Sequence, residues 1–203
     1  MKYPKIREIK EAVGSLLSPA YTTGFPAVEH HPAPRYRGKP VVCEEGCVGC
    51  EACSHVCPSG AITVSDNLAD RVRTIRRDFG KCIFCGLCET HCITHEGVKL
   101  SDQLYELAVF DRDNLVELQE RELITCRNCG AIITTRDHMA FMHHKLGPKA
   151  YSNILDLNLL NERLRLAPEN ETAVEIRDHL KRKDMFNVLC PNCLRRVLLN
   201  ELL

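Results

Sequence analysis

The chain has 203 residues, 27 basic and 27 acidic side chains, a formal net charge of zero, and 13 cysteines. Zero net charge leaves no general positive field to hold nucleic acid, and there is no acidic, aromatic-poor bias of the kind that keeps chains disordered. With six Phe, five Tyr and no Trp, any core must be mostly aliphatic.

Charge is unevenly spread: residues 1–40 are basic, 41–100 slightly acidic, 101–125 strongly acidic and 126–203 basic again. The chain opens with Ile6, Ile9, Val13, Leu16 and Leu17 at helical spacing and charged residues elsewhere, closed by Ser18 and Pro19. Such a stripe packs on its own core or on something else. Because a Pro-rich arm (FPAVEHHPAPRYRGKP) follows, the expectation is a helix that docks on a partner subunit or lies in a membrane interface. The start MKYPKIREIK has no continuous apolar run of a secretory leader, so a secreted disulfide scaffold is not expected. No apolar run approaches the roughly 18 residues of a spanning helix.

Residues 41–100 read as two units of one plan, four cysteines and then a β-rich stretch, repeating at 35 residues from Cys47 to Cys82. The pattern predicts strands at 61–64 and 71–75 joined by a turn at Asp66 and Asn67. Further on it predicts a helix over 113–122 with Leu115 and Leu118 inward. A second is expected over 134–146, capped by Thr134 and stopped at Gly147-Pro148, with others around 156–166 and 171–185.

The first cysteine motif, CVGCEACSHVCP, contains Cys47, Cys50, Cys53 and Cys57; the second, CIFCGLCETHC, contains Cys82, Cys85, Cys88 and Cys92 at the same CxxCxxCxxxC spacing. Two-residue gaps let three thiolates wrap one iron–sulfur cube, and in two-cluster ferredoxins the fourth thiolate serves the other cluster. The reading is therefore Cys47, Cys50, Cys53 and Cys92 on one 4Fe-4S cluster, and Cys82, Cys85, Cys88 and Cys57 on the second. Gly49, Ala52 and Gly86 leave room for backbone N–H groups to approach cluster sulfur. His55, His91 and His95 flank the motifs and are candidates for tuning, not ligands. Cys43, four residues before the first motif, is read as a free structural thiol.

The run APRYRGKPVV, the two motifs and the amphipathic start resemble the ferredoxin-like chain I of complex I (NADH:quinone oxidoreductase) and the corresponding subunits of membrane-bound, energy-converting NiFe hydrogenases. The stretch KLSDQLYELAVFDRDNL, the CxxC after it and the late CPxC look more specifically like the small iron–sulfur subunit of the formate hydrogenlyase group. The resemblance spans about residues 33–130 plus the late knuckle, and departs where Ile93 follows Cys92 in place of the family's usual proline. It implies an electron relay between a donor module, or a reduced ferredoxin, and NiFe hydrogenase small and large subunits. Such a subunit sits peripherally against the membrane subunits on the cytoplasmic face. Chain I of a respiratory quinone reductase is the alternative.

In the last third, Cys126 and Cys129 (CRNC) pair with Cys190 and Cys193 (CPNC), two knuckles that suit a tetrahedral zinc site, with a single iron as the other occupant of the same ligands. His138, His143 and His144 lie in the insert and are read as surface or capping residues. No GxGxxG, Walker-type, GxSxG or HExxH pattern is present, so no catalytic residues are expected. The expected fold is α+β. It comprises an N-terminal amphipathic helix and docking arm (1–40), a two-cluster ferredoxin core (41–103) and a mainly helical, zinc-ribbon-like region (104–203). A zinc-ribbon binding module with merely structural clusters is the remaining class, and no nucleic-acid partner is expected. Clusters and zinc each add about −2 with their thiolates, so the loaded protein would be nearer −6 than neutral.

Overall fold

The structure is a computed structural model. It describes residues 5–19, 35–103, 111–164 and 180–199, with positions 22, 24, 27, 28, 32, 33 and 109 between them. Helix α1 (Ile6–Leu17) starts where the Glu8 carboxylate accepts the Lys5 backbone N–H (3.0 Å) and stops at Ser18 before Pro19. None of its residues is buried. Ile6, Leu16 and Leu17 are more than 80% exposed, so the apolar stripe packs on nothing among the described residues.

Each cysteine motif lies between a strand that enters and a strand that leaves. Strand β1 (Pro40–Val42) precedes the first motif, which contains the one-turn helix α2 (Ala52–His55), and β2 (Ile62–Asn67) follows it. Strand β3 (Val72–Asp78) precedes the second motif, which contains α3 (Leu87–Thr90), and β4 (Val98–Leu100) follows. The strands exchange partners: β1 pairs antiparallel with β4, and β2 with β3. The 35-residue repeat also extends to backbone conformation. Left-handed residues recur at Gly49 and Phe84, at Glu51 and Gly86, and at Gly60 and His95, although the residue types differ. In the β2–β3 hairpin the turn comes later than the sequence reading put it. Asp66 stays in the ladder because the Arg73 guanidinium grips both its oxygens (2.7 and 2.8 Å), while Asn67 Oδ1 accepts the N–H of Ala69 and so opens the reversal (3.0 Å).

The predicted helix over 113–122 is not formed. A single 3-10 turn (Arg112–Leu115) leads into a ten-residue strand, β5 (Val116–Thr125), which pairs with β3 over Val116–Glu122 and with β6 (Ile132–Thr135) over Leu123–Thr125. The sheet order is therefore β2-β3-β5-β6. Leu118, expected inward, is 64% exposed, while Gln119 and Leu123 are buried. The face of β5 turned to the protein carries Gln119 and Arg121, so an apolar count places the wrong face inside.

Beyond β6, helix α4 (Arg136–Leu146) is capped by Thr135, not Thr134: its hydroxyl accepts the His138 N–H (3.2 Å), and the chain turns at Gly147. Helix α5 (Ile154–Arg163) matches the stretch expected around 156–166. Most of the helix expected at 171–185 lies outside the described residues; the part described, Arg182–Phe186, is a 3-10 turn. The last described helix is α6 (Pro191–Leu199). The C-terminal region is thus mixed, with two strands joined to the N-terminal sheet as well as helices.

Side chains from this sheet, with Thr94 from the turn after the second motif, hold the first cysteine loop. Arg121 donates to the carbonyls of Cys47 (2.8 Å) and Glu44, Thr135 Oγ1 to that of Val48, Arg73 to that of Gly49 (3.0 Å), and Thr94 Oγ1 to that of Gly46 (2.8 Å). Gly49 is packed beneath them: at φ +68°, a Cβ there would lie 2.9 Å from the Thr135 methyl, and Thr135 is wholly buried. Gly60, with nearly the same φ, has nothing within 4 Å. Gly60→Ala should therefore cost only the left-handed backbone, about 1–2 kcal/mol. Gly49→Ala adds an overpacking cost and should lose about 3 kcal/mol in all. Anaerobic urea unfolding of the two variants measures the difference.

Candidate functional site

Cysteines of both motifs meet in one core: Cys88 is buried with Ile62, Ile75 and Val98, and Val42, Cys47, Cys53 and Cys57 pack against that cluster. Cys57, Cys82, Cys85 and Cys88 line one cavity, walled by Ala61, Ile62, Phe79 and Arg77. Electrostatic neighbours give the same grouping. Burial raises the Cys82 thiol, and Cys57 and Cys85 add to the shift. Burial likewise raises Cys50, with Cys92 and Cys47 adding. Cys53 is pushed up to about 11, first by burial; Arg77 pulls against the shift, while Cys47, Cys50 and Cys88 reinforce it. Cys53 and Cys88 are equivalent in the repeat, and through them the two groups of thiols adjoin.

Cys57 and Cys92 behave oppositely. Burial alone would raise both, yet both are lowered. Cys57 is stabilised as thiolate by the Ser59 hydroxyl and the N–H groups of Ile62, Ala61 and Ser59. Cys92 is stabilised by the Thr94 hydroxyl and the N–H groups of Thr94, Gly97 and Val98. The hydroxyl oxygens lie 3.7 and 3.2 Å from their sulfurs. A hydroxyl two residues after each fourth cysteine is legible in the sequence only once the repeat is aligned. Gly49 and Gly86 are both left-handed, and the N–H of Ala52 approaches the Cys50 sulfur. This donor set, four soft thiol ligands per group with N–H and O–H donors around the sulfurs, fits a 4Fe-4S cluster.

The flanking histidines do not join the site. His55 is exposed and lies 3.6 Å from Glu51, and His91 Nδ1 contacts the Leu87 carbonyl oxygen within its own helix (3.0 Å). His95 is an exposed turn residue. Among the described residues none of the three bonds a cysteine sulfur. Cys43 is exposed, and its backbone bonds Gly97 and Cys47.

A second sulfur group stands in the C-terminal region. The Sγ atoms of Cys126, Cys129, Cys190 and Cys193 all lie within 4.8 Å of one another, with Cys129 and Cys190 at 3.6 Å. A zinc–sulfur bond of about 2.3 Å sets tetrahedral sulfurs about 3.8 Å apart, so the spacing fits one metal ion. Cys126 opens a turn in which Gly130 N–H bonds its carbonyl (2.9 Å), and Cys193 lies in the first turn of α6. Leu180, Leu189 and Val197 seal three of the four thiols from water, leaving Cys129 exposed. Burial opposes ionisation of Cys126, but N–H groups of Cys190, Cys129 and Asn128 bring it down to about 7. Cys129, although exposed at the surface, is driven up to about 12, first by the partial desolvation of its sulfur and then by the three neighbouring thiols. The insert histidines lie elsewhere: His138 Nδ1 bonds Thr134 (2.8 Å), His143 bonds the buried Asp156 (2.8 Å), and His144 is exposed.

No helix among the described residues is long and apolar enough to cross a membrane. The chain is 32% identical over 99 residues to NAD(P)H-quinone oxidoreductase subunit I of Gloeobacter violaceus, covering 46% of each chain. It is 38% identical over 94 residues to formate hydrogenlyase subunit 6 of Escherichia coli, covering 46% of this chain and 51% of that one. The chain thus spans about half the length of the curated relatives it matches. A chain of the membrane-bound sulfane sulfur reductase, an archaeal respiratory membrane complex, aligns over 49% of this chain and 53% of its own at 28% identity and a TM-score of 0.35. Residues 46–95 match the 4Fe-4S dicluster domain family, and that segment is a two-cluster iron–sulfur domain of the ferredoxin type.

Proposed function

We propose that the chain is an electron-transfer subunit that relays single electrons through two 4Fe-4S clusters within a membrane-associated hydrogenase complex of the formate hydrogenlyase kind. The observation that carries this reading is the pair of thiol groups, related by the 35-residue repeat and adjoining at Cys53 and Cys88. Cys47, Cys50, Cys53 and Cys92 would hold one cluster, and Cys82, Cys85, Cys88 and Cys57 the other. When bound, each cluster would supply one-electron redox chemistry. The protein's own part is to exclude water with Ile62, Ile75 and Val98, to hold the sulfurs in place, and to direct N–H and O–H donors at them. Donors to sulfur favour the more negative, reduced state.

Cys126, Cys129, Cys190 and Cys193 form, on this reading, a closed zinc site that pins the C-terminal helices. The chain divides into a docking helix and arm (1–40), the two-cluster core (41–103) and the zinc-pinned region (104–203). It lies peripherally on the cytoplasmic face of the membrane, with the hydrogenase small and large subunits, the membrane subunits and an electron-donor module or ferredoxin as partners. The exposed stripe of α1 supports a docking role, since no described part of the chain covers it. Identity to subunit I of quinone oxidoreductases favours chain I of a respiratory complex as the second reading. The additional C-terminal thiol group, resembling the late knuckle of the hydrogenase-associated subunits, favours the first.

The anaerobically purified chain should contain about eight iron and about one zinc, and dithionite should reduce both clusters reversibly. Clusters that cannot be cycled would overturn the relay. Cys190→Ser should lose the zinc, keep all the iron, and raise the rate of tryptic cleavage after residue 126 at least tenfold, as followed by metal analysis and gel. In cells, Leu16→Asp combined with Leu17→Asp should release the chain from the membrane fraction while leaving its iron content and melting temperature unchanged, because neither side chain is buried.

A further inference from the structure

Strand β3 turns Arg73, Ile75 and Arg77 toward the cysteine motifs, and all three are buried. The two arginines differ in how their charge is met. Arg73 is gripped by Asp66, pairs with Glu51, and donates to the Gly49 carbonyl. Arg77, only 2% exposed, has no carboxylate partner among the described residues. Its Nη2 donates to the neutral amide oxygen of Gln119 (3.0 Å), its Nε has no acceptor, and neither has Gln119 Nε2. Nearby carboxylates are engaged elsewhere: Glu117, its register partner on β5, binds Lys39, and Asp78 faces Arg76 and Lys81.

A guanidinium does not lose its proton in a protein, so burial leaves a full positive charge that needs a counter-charge. What is missing around Arg77 is acceptors, since both orphaned groups are N–H donors. Arg77 lines one cavity together with Cys57, Cys82, Cys85 and Cys88, and its charge also reaches Cys53 of the adjoining group. Four thiolates around a 4Fe-4S core carry the negative charge that this wall lacks. The inference rests on the cluster reading given above.

We propose that Arg77 is the counter-charge of the cluster held by Cys57, Cys82, Cys85 and Cys88, and that it raises that cluster's reduction potential by stabilising the additional electron. Arg77 is a positioning and tuning residue and ligates nothing. The test is a potentiometric titration of the full, cluster-loaded chain followed by electron paramagnetic resonance, with iron and sulfide measured on every sample. Arg77→Gln should make reduction of this cluster at least tenfold less favourable, a midpoint lower by about 59 mV for a one-electron couple. Arg77→Lys should stay within about threefold of the parent. Gln119→Glu keeps the guanidinium but offers it a carboxylate, and should shift the midpoint in the same downward direction. An unchanged midpoint in Arg77→Gln at full iron content overturns the assignment. If that variant does not retain its iron, an unchanged midpoint in Gln119→Glu overturns it instead. A parent protein with fewer than eight iron would overturn the cluster reading itself, which is a separate result.

Discussion

Thiols gathered as closely as these cannot all ionise unless positive charge or hydrogen-bond donors meet them. Within the two motifs, burial and mutual repulsion raise Cys50, Cys53, Cys82 and Cys88, while the donors around Cys57 and Cys92 lower those two. The surrounding structure answers that constraint. Left-handed residues turn the backbone so that N–H groups meet sulfur, and the carbonyls on the outside of the first loop are taken by Arg73, Thr94, Arg121 and Thr135. A loop whose carbonyls are held outward keeps its amides available on the inside.

The chemistry was legible in the sequence because metal ligation depends on residue type and spacing. Eight cysteines in two matching runs, and two later CxxC pairs, mark the sulfur-rich regions without knowledge of the fold, while the exchange of Cys57 and Cys92 between groups rests on the two-cluster ferredoxin pattern. The β2–β3 hairpin was also legible, since the β-branched runs ITV and VRTI flank a polar turn. Strand β5 was not. Its inward positions hold Gln119 and Arg121, whose partners are the Arg77 side chain and the Cys47 and Glu44 carbonyls, while Leu118 points to solvent. Hydrophobic periodicity fails where a buried face is built to satisfy polar groups. Thr135 escaped for a related reason: one hydroxyl caps α4 and also holds the first cysteine loop, and only the fold joins those positions.

The repeat shows how conformation can outlast residue identity. Phe84 and His95 adopt the left-handed conformation that Gly49 and Gly60 adopt one repeat earlier, although a side chain there is strained. The sulfur geometry is shared by both halves, and so is the backbone it requires. The halves differ in what covers them. β5 and β6 reach over the first loop, and the arm residue Arg37 donates to the Cys85 carbonyl in the second (3.0 Å).

The pairing of β3 with β5 sets an order of events during synthesis. Domains emerge from the ribosome N-terminus first, and pairings distant in sequence close late. Both cysteine motifs are therefore made before Val116–Thr125 and Thr135, and the first loop, already served by Arg73 and Thr94, gains its bonds from Arg121 and Thr135 only when those residues arrive. The second motif needs only Arg37, already translated, for its own carbonyl bond. Maturation of the two halves is in this way staggered: the later motif in the sequence has its arm contact ready first, and the earlier one receives the last of its support from the C-terminal region.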